Sequence, residues 1–185
     1  MALLSTVLTF SSCSKDDDEE TSNSVSKCVV TVSLYSTTTG AMVGTSTTTA
    51  TSVNGKNTLS CVEKDLDGNI LNEYTVENAS DLAVNLIGTW RSTSYTYTDD
   101  YDASENESGT ADGQNYAEIL FTAKKVIQRL YEDGSLSATV ESAYTLEGNS
   151  IKMNGTTISV TVDGDVLTTK EKFDEGTQVQ KYSRK

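Results

Sequence analysis

The sequence predicts an all-β protein: an up-and-down barrel of eight strands, preceded by a small β meander and a disordered acidic N-terminal tether. Three observations carry this expectation. Of 185 residues, 28 are Thr and 23 are Ser; Thr suits a pleated, half-exposed surface, whereas the helix-favouring Ala, Leu and Lys are sparse. Short runs with apolar alternation recur along the chain. Between them stand Gly and Asn, which accept the positive φ of tight hairpin turns. No run approaches the roughly 20 apolar residues that a membrane-spanning helix needs.

Composition also restricts the chemistry. With no His, the chain cannot build a Ser-His-Asp or Cys-His pair or a His-ligated zinc site. Asp and Glu together number 27, which leaves carboxylate-pair chemistry open, with Glu118, Glu141 and Glu171 as candidates. Nothing in the sequence brings two of them together on one face, and an outward-facing, solubilising role is expected for each. The expectation is no catalytic residue, no cofactor, no metal site and no enzymatic activity. A net charge of −13 with 14 Lys and Arg argues against nucleic acid as a partner, because phosphate neutralisation needs clustered cations.

Residues 1–12 form a short apolar stretch with Leu3, Leu4, Val7, Leu8 and Phe10, closing on the small residues Ser11 and Ser12 before Cys13. This resembles the end of a bacterial lipoprotein signal peptide, in which the Cys is lipidated and becomes the mature N-terminus. Ser14 and Lys15 then lead into Asp16, Asp17, Asp18, Glu19 and Glu20, like charges that should stay solvated. A Lys-then-acidic run after the lipid cysteine is similar to the export signal of Bacteroidetes surface lipoproteins. The resemblance implies an outer-membrane, cell-surface location, anchored through lipid on Cys13, with residues 1–26 as signal remnant and tether. If Cys13 is consumed by lipid, Cys28 and Cys61 remain. Outside the cytosol they are expected either to form a disulfide or to stay as two buried thiols.

Residues 27–78 read as a small β-rich segment. Cys28, Val30, Val32 and Leu34 alternate with Thr31 and Ser33. A Thr-rich strand is expected over 42–53, and Asn54-Gly55 is a two-residue hairpin signal. Further strands are expected over 57–64 and 70–76, joined at Asp67-Gly68. Asn78, Ala79, Ser80 and Asp81 offer capping side chains for one or two helical turns carrying Leu82, Val84, Leu86 and Ile87. The domain boundary is placed before Ala79, so that 79–185 forms the barrel domain.

Eight strands are expected there: 89–98, 116–122, 126–131, 136–146, 150–153, 156–162, 166–173 and 177–182. Each short connection carries Gly or Asn, and a closed antiparallel barrel would remove exposed edges. The exception is 99–115, a long connection rich in Asp and Glu. Asp99, Asp100, Asp102, Glu105 and Glu107 are close enough in sequence to bind Ca²⁺, but they do not follow the EF-hand spacing, and a solvated loop is the favoured reading.

Gly88-Thr89-Trp90, just after the short helix and opening the first strand, resembles the Gly-x-Trp signature of the lipocalin family. The closing Tyr182-Ser183-Arg184 supplies the matching arginine, and Tyr144 to Asn149 repeats a Tyr-x-Leu-x-Gly-Asn turn. The chain is thus similar to lipocalin-like domains of Bacteroidetes surface lipoproteins. That resemblance implies a structural role for Gly88, Trp90 and Arg184, with the guanidinium over the indole. A barrel of eight strands either fills with its own side chains or holds one small ligand. The favoured function is binding of a small, mostly apolar molecule lined by Tyr116, Leu120, Val140, Tyr144 and Val160. The alternative is a filled, non-catalytic adhesin-type surface module acting through Tyr95, Tyr97 and Tyr101.

Overall fold

The computed structural model describes residues 9–16, 25–36 and 38–185. It is all-β, with one short α-helix and one 3-10 turn (Ala103–Glu105) among the described residues, and divides into two units, Met1–Gly88 and Thr89–Lys185. No helix among the described residues is long and apolar enough to cross a membrane.

The first unit is a five-stranded antiparallel sheet in simple sequence order. Its strands are β1 (Thr9–Asp16), β2 (Val25–Tyr35), β3 (Met42–Val53), β4 (Lys56–Asp65) and β5 (Ile70–Glu77). The four expected strands are all present. Asn54 and Gly55 turn the β3–β4 hairpin with φ of 53° and 74°, the doubly positive geometry that matches strand twist. The predicted inward face of β2 is buried at Cys28, Val30 and Val32. Opposite it, β3 buries Ser46, Thr48 and Ala50, so this core is built largely from small side chains.

At residues 9–16, 25 and 26 the chain is strand where a disordered N-terminal tether was the expectation. Thr9–Asp16 pairs along its whole length with β2, from Thr9 opposite Val32 to Asp16 opposite Val25. The backbone donors and acceptors of β2's free edge hold a strand whatever side chains it carries, a force that composition does not register. The acidic residues 17–20 lie outside the described residues.

The helix α1 (Asp81–Leu86) follows. Ser80 caps it, its hydroxyl accepting from the Ala83 amide at 3.1 Å, and Val84 and Leu86 are buried. Asn57 on β4 donates to Ala79 O at 3.2 Å and to Asp81 Oδ1 at 2.6 Å. These bonds tie the helix to the meander. The boundary therefore falls after Gly88, not before Ala79: a helix this short is stable only on the sheet it packs against.

The second unit contains β6 (Gly88–Asp99), β7 (Glu107–Thr110), β8 (Tyr116–Phe121), β9 (Lys125–Glu132), β10 (Ser135–Ala143), β11 (Thr145–Glu147), β12 (Ser150–Met153), β13 (Thr156–Asp163), β14 (Val166–Lys172) and β15 (Gly176–Arg184). They form one curled antiparallel sheet in the order β10-β9-β8-β6-β15-β14-β13-β12-β11, with β7 added on β6. Every expected strand is present, with two additions. The long strand expected over 136–146 breaks at Tyr144 into β10 and β11, and β7 forms inside the acidic connection. The two ends of the sheet path, β10 and β11, are consecutive in the chain, with Tyr144 alone between them. First and last long strands meet: β15 pairs with β6, Arg184 opposite Trp90.

Candidate functional site

The curled sheet forms an open-mouthed cavity of about 230 Å³. Its position follows from the period-two alternation of the strands around it. Ile119 and Phe121 from β8 stand opposite Gln128 and Val126 from β9. β12 and β13 add Ile151 and Ile158, which also face each other across their ladder. β14 and β15 add a polar set: Glu171 pairs with Gln178 and Thr169 with Gln180. Six of the fourteen lining residues are thus apolar and eight carry hydrogen-bonding side chains, against the expectation of a mostly apolar interior.

Tyr182 lies at the end of that polar set, nearly fully buried. Its hydroxyl donates to Gln180 Oε1. Burial pushes the phenol up to about 12, opposed by a hydrogen bond with Thr169, so it stays neutral and serves as a donor. On the other side, Asn154 on the β12–β13 turn donates to Ser142 Oγ on β10 at 2.9 Å. This bond links the two regions flanking the break at Tyr144.

The five residues expected to line the interior are not among the lining residues. Tyr116 and Leu120 share the even parity of β8, whereas Ile119 and Phe121 face the cavity. A one-residue error in parity sends every side chain of a strand to the other face. Tyr116 instead stacks on Tyr131 with ring centroids 4.4 Å apart, and the Arg91 guanidinium sits 3.6 Å from its ring centre. Leu120 is buried beside its register partner Ile127 on that same face. Val140 stands opposite Gln128 but is 50% exposed; a bulge between Leu136 and Ala138 interrupts the strand's register. Tyr144 bridges β10 and β11, donating to Thr122 O at 2.8 Å and meeting Phe121 edge-on. Val160, two positions beyond Ile158 on the same face, is fully buried.

The structural residues are brought together. Gly88 opens β6 at φ 131°, a conformation L side chains rarely adopt. Trp90 is completely buried, and the Arg184 guanidinium lies 4.1 Å from its ring centre. Burial holds Arg184 below its usual value while Asp165, 3.5 Å away, opposes the shift.

Cysteine pairing differs from the expectation. Cys28 is bonded to Cys13, its register partner on β1, and Cys61 is a buried free thiol. Cys28 and Cys61 lie on β2 and β4 with β3 between them. Two strand spacings come to about 9.5 Å, beyond the roughly 7 Å limit for a disulfide's Cα atoms. Cys28 Sγ also lies 3.2 Å from Ile87 O, where a thiol would donate a hydrogen bond; bonded to Cys13 it has no proton to give.

Two of the three candidate carboxylates depart from expectation. Glu118, expected to face outward, is buried and paired with Lys185 Nζ at 2.5 Å. Glu171, expected to face outward, is half-buried and lines the cavity. Glu141 is exposed and pairs with Lys125. In the acidic connection, Asp99 Oδ1 accepts from the Tyr101 and Asp102 amides, both at 2.8 Å. Asp112 accepts from Gln114 and Asn115 at 2.7 and 2.5 Å. These backbone donors hold both carboxyls below their usual range and turn the segment back so that β7 can pair with β6. No metal-binding cluster occurs among the described residues.

The cavity residues that parity misassigned were open to inference from the carboxy-terminal strand. If Arg184 faces the interior over Trp90, then Tyr182, Gln180 and Gln178 share its face by alternation. No such signal marks Ile151 or Glu171, whose facing depends on how the strands curl. Compared with family models, with curated proteins and with solved structures, the chain matches none.

Proposed function

We propose that the chain is a non-catalytic binding protein whose second unit, a lipocalin-like barrel, holds a small molecule inside its curled sheet. The observation that carries this reading is the cavity of about 230 Å³ with both apolar and polar walls. That space corresponds to the liquid volume of roughly eight waters, so the ligand is small. Its mixed lining supports an amphipathic molecule in place of the mostly apolar one the sequence suggested. The absence of His and, among the described residues, the lack of a second carboxylate in the cavity support binding without catalysis.

We place the protein outside the cytosol, at the outer membrane surface. The residues around Cys13 support a lipid anchor there, and a Cys13–Cys28 disulfide likewise needs an oxidising compartment. The two fates exclude each other, because one sulfur cannot carry both. In the lipidated protein Cys28 would be a thiol, able to donate to Ile87 O.

A filled surface module is the second reading, favoured by a volume below the 300 Å³ or so at which ligand pockets begin and by Tyr101, which is 83% exposed. Native mass spectrometry of the protein recovered from its own cells decides between them. Binding predicts a retained small molecule that is lost in Ile158→Trp, which fills the cavity. A bare mass for the native protein, with no molecule retained, supports the filled module.

A further inference from the structure

We propose that the cavity selects a primary ammonium ion carrying a short apolar segment; the inference rests on the binding reading above. Among the described residues, Glu171 is the only charged side chain lining the cavity. No Lys or Arg pairs with it among the described residues: Lys125 pairs with Glu141, Lys152 with Glu147, Lys172 with Asp100, Arg184 with Asp165 and Lys185 with Glu118. Its sequence neighbours Lys170 and Lys172 point to the other face by strand alternation. The Glu171 carboxylate stands beside Ile158, its register partner, where a cation in the cavity would meet it as the opposite charge.

The acceptors around it suit an ammonium. Gln178 stands directly across the β14–β15 ladder from Glu171, and Thr169 and Gln180 form the next pair on the same face. An ammonium has three donors and no acceptor; one can meet the carboxylate and the others the side-chain oxygens of Gln178 and Thr169. A bare Ca²⁺ would want six to eight oxygens, largely anionic, and one carboxylate does not provide them. An anionic ligand would face Glu171 with no compensating charge. Ile119, Phe121 and Ile151 supply the apolar wall, and the cavity volume limits the tail to a handful of carbons. The net charge of −13 also draws cations toward the protein.

The experiment is a calorimetric titration of the full chain, and of Glu171→Gln, with hexylammonium, hexanol and hexanoate at neutral pH. The three probes share one tail and differ in charge. In the native protein hexylammonium should bind about tenfold or more tighter than hexanol, the size expected for a hydrogen bond to a charged partner, and hexanoate weakest. In Glu171→Gln the hexylammonium affinity should fall to that of hexanol, with hexanol unchanged. Hexanol binding as tightly as hexylammonium in the native protein would leave the cavity a binding site but overturn its selectivity. So would a preference that survives Glu171→Gln. Should that variant fail to fold, the order of the three probes on the native protein still decides the matter. Binding of none of them removes the cavity reading and this inference together.

Discussion

Both units are antiparallel sheets of hydroxyl-rich strands, yet they bury different things. In the first, the central strand β3 turns Ser46, Thr48 and Ala50 inward, and the largest fully buried side chains are Leu86, Ile87 and Val30. In the second, Trp90, Phe121, Leu120, Ile127 and Leu167 are fully buried. The first sheet is open, with β1 and β5 as edges, and its outer strand is stapled by Cys13–Cys28. The second brings its path ends to one residue, Tyr144, and pins first and last strands with an indole and a guanidinium. A sheet with small inward residues has little apolar area to bury and leans on a helix cap and a covalent tie. A sheet that curls can surround large side chains, and where its inward residues change to Thr, Glu and Gln, space remains.

The strongest way to break this comparison is Trp90→Ala. Removing the largest buried side chain should cost about 3–5 kcal/mol, read by hydrogen exchange under mild denaturant as lost protection in residues 89–185. Equal loss across 25–88 would show that the two cores do not unfold as separate cooperative units.

Reducing the Cys13–Cys28 bond tests the other side. With a sequence separation of 15, its closure contributes about 3 kcal/mol by the chain-entropy argument. Denaturant unfolding with and without reductant should show the difference in peptides of 25–88. Peptide mapping of the unreduced protein without lipid on Cys13 should recover residues 13 and 28 linked and Cys61 alkylated. A linked Cys28–Cys61 peptide would require a different strand order.

Tyr182 offers a pH test of the second core. Its folded value of about 12 lies above the roughly 10 of an exposed tyrosine. Burial therefore contributes stability that is fully present below pH 10 and is lost as pH rises through 12. The amount is on the order of 2–3 kcal/mol. Tyr74, Tyr97 and Tyr131 are also pushed up by burial, so ultraviolet titration of tyrosinate should show several late-titrating groups, one fewer in Tyr182→Phe, and that variant should lose less stability at alkaline pH. A Tyr182 that titrates with the exposed tyrosines would place the ring in water.

The smallest effect belongs to Arg184→Ala, about 0.5–2 kcal/mol from the cation–π contact. Asp165 is mostly exposed, so that ion pair adds little. A loss below about 0.5 kcal/mol in thermal unfolding would mean that the guanidinium does not clamp the strands.

Much of this fold was legible in the chain. Asn54-Gly55, Asp133-Gly134 and Asn154-Gly155 all take the doubly positive φ their sequences suggest. Hairpin turns are local, so their residues are sufficient to identify them. The Trp90–Arg184 contact was legible because a motif tied each residue to a strand end. The lining of the cavity was not. Tyr116 and Leu120 are expected to line the interior, but β8 buries both of its faces from Glu118 to Phe121, so hydrophobicity there does not distinguish inside from outside. Glu171 looked like any surface carboxylate, since its facing depends on the path of β14 around the curl.

By itself the sequence determined the period-two strands, the turns that join them and the capped helix, because these follow from neighbours a few residues apart. Only the tertiary structure decided which cysteine meets Cys28, which side of β8 faces the cavity and which carboxylate lines it. Those outcomes depend on strands brought together from distant parts of the chain, where one residue of register or one intervening strand changes every contact.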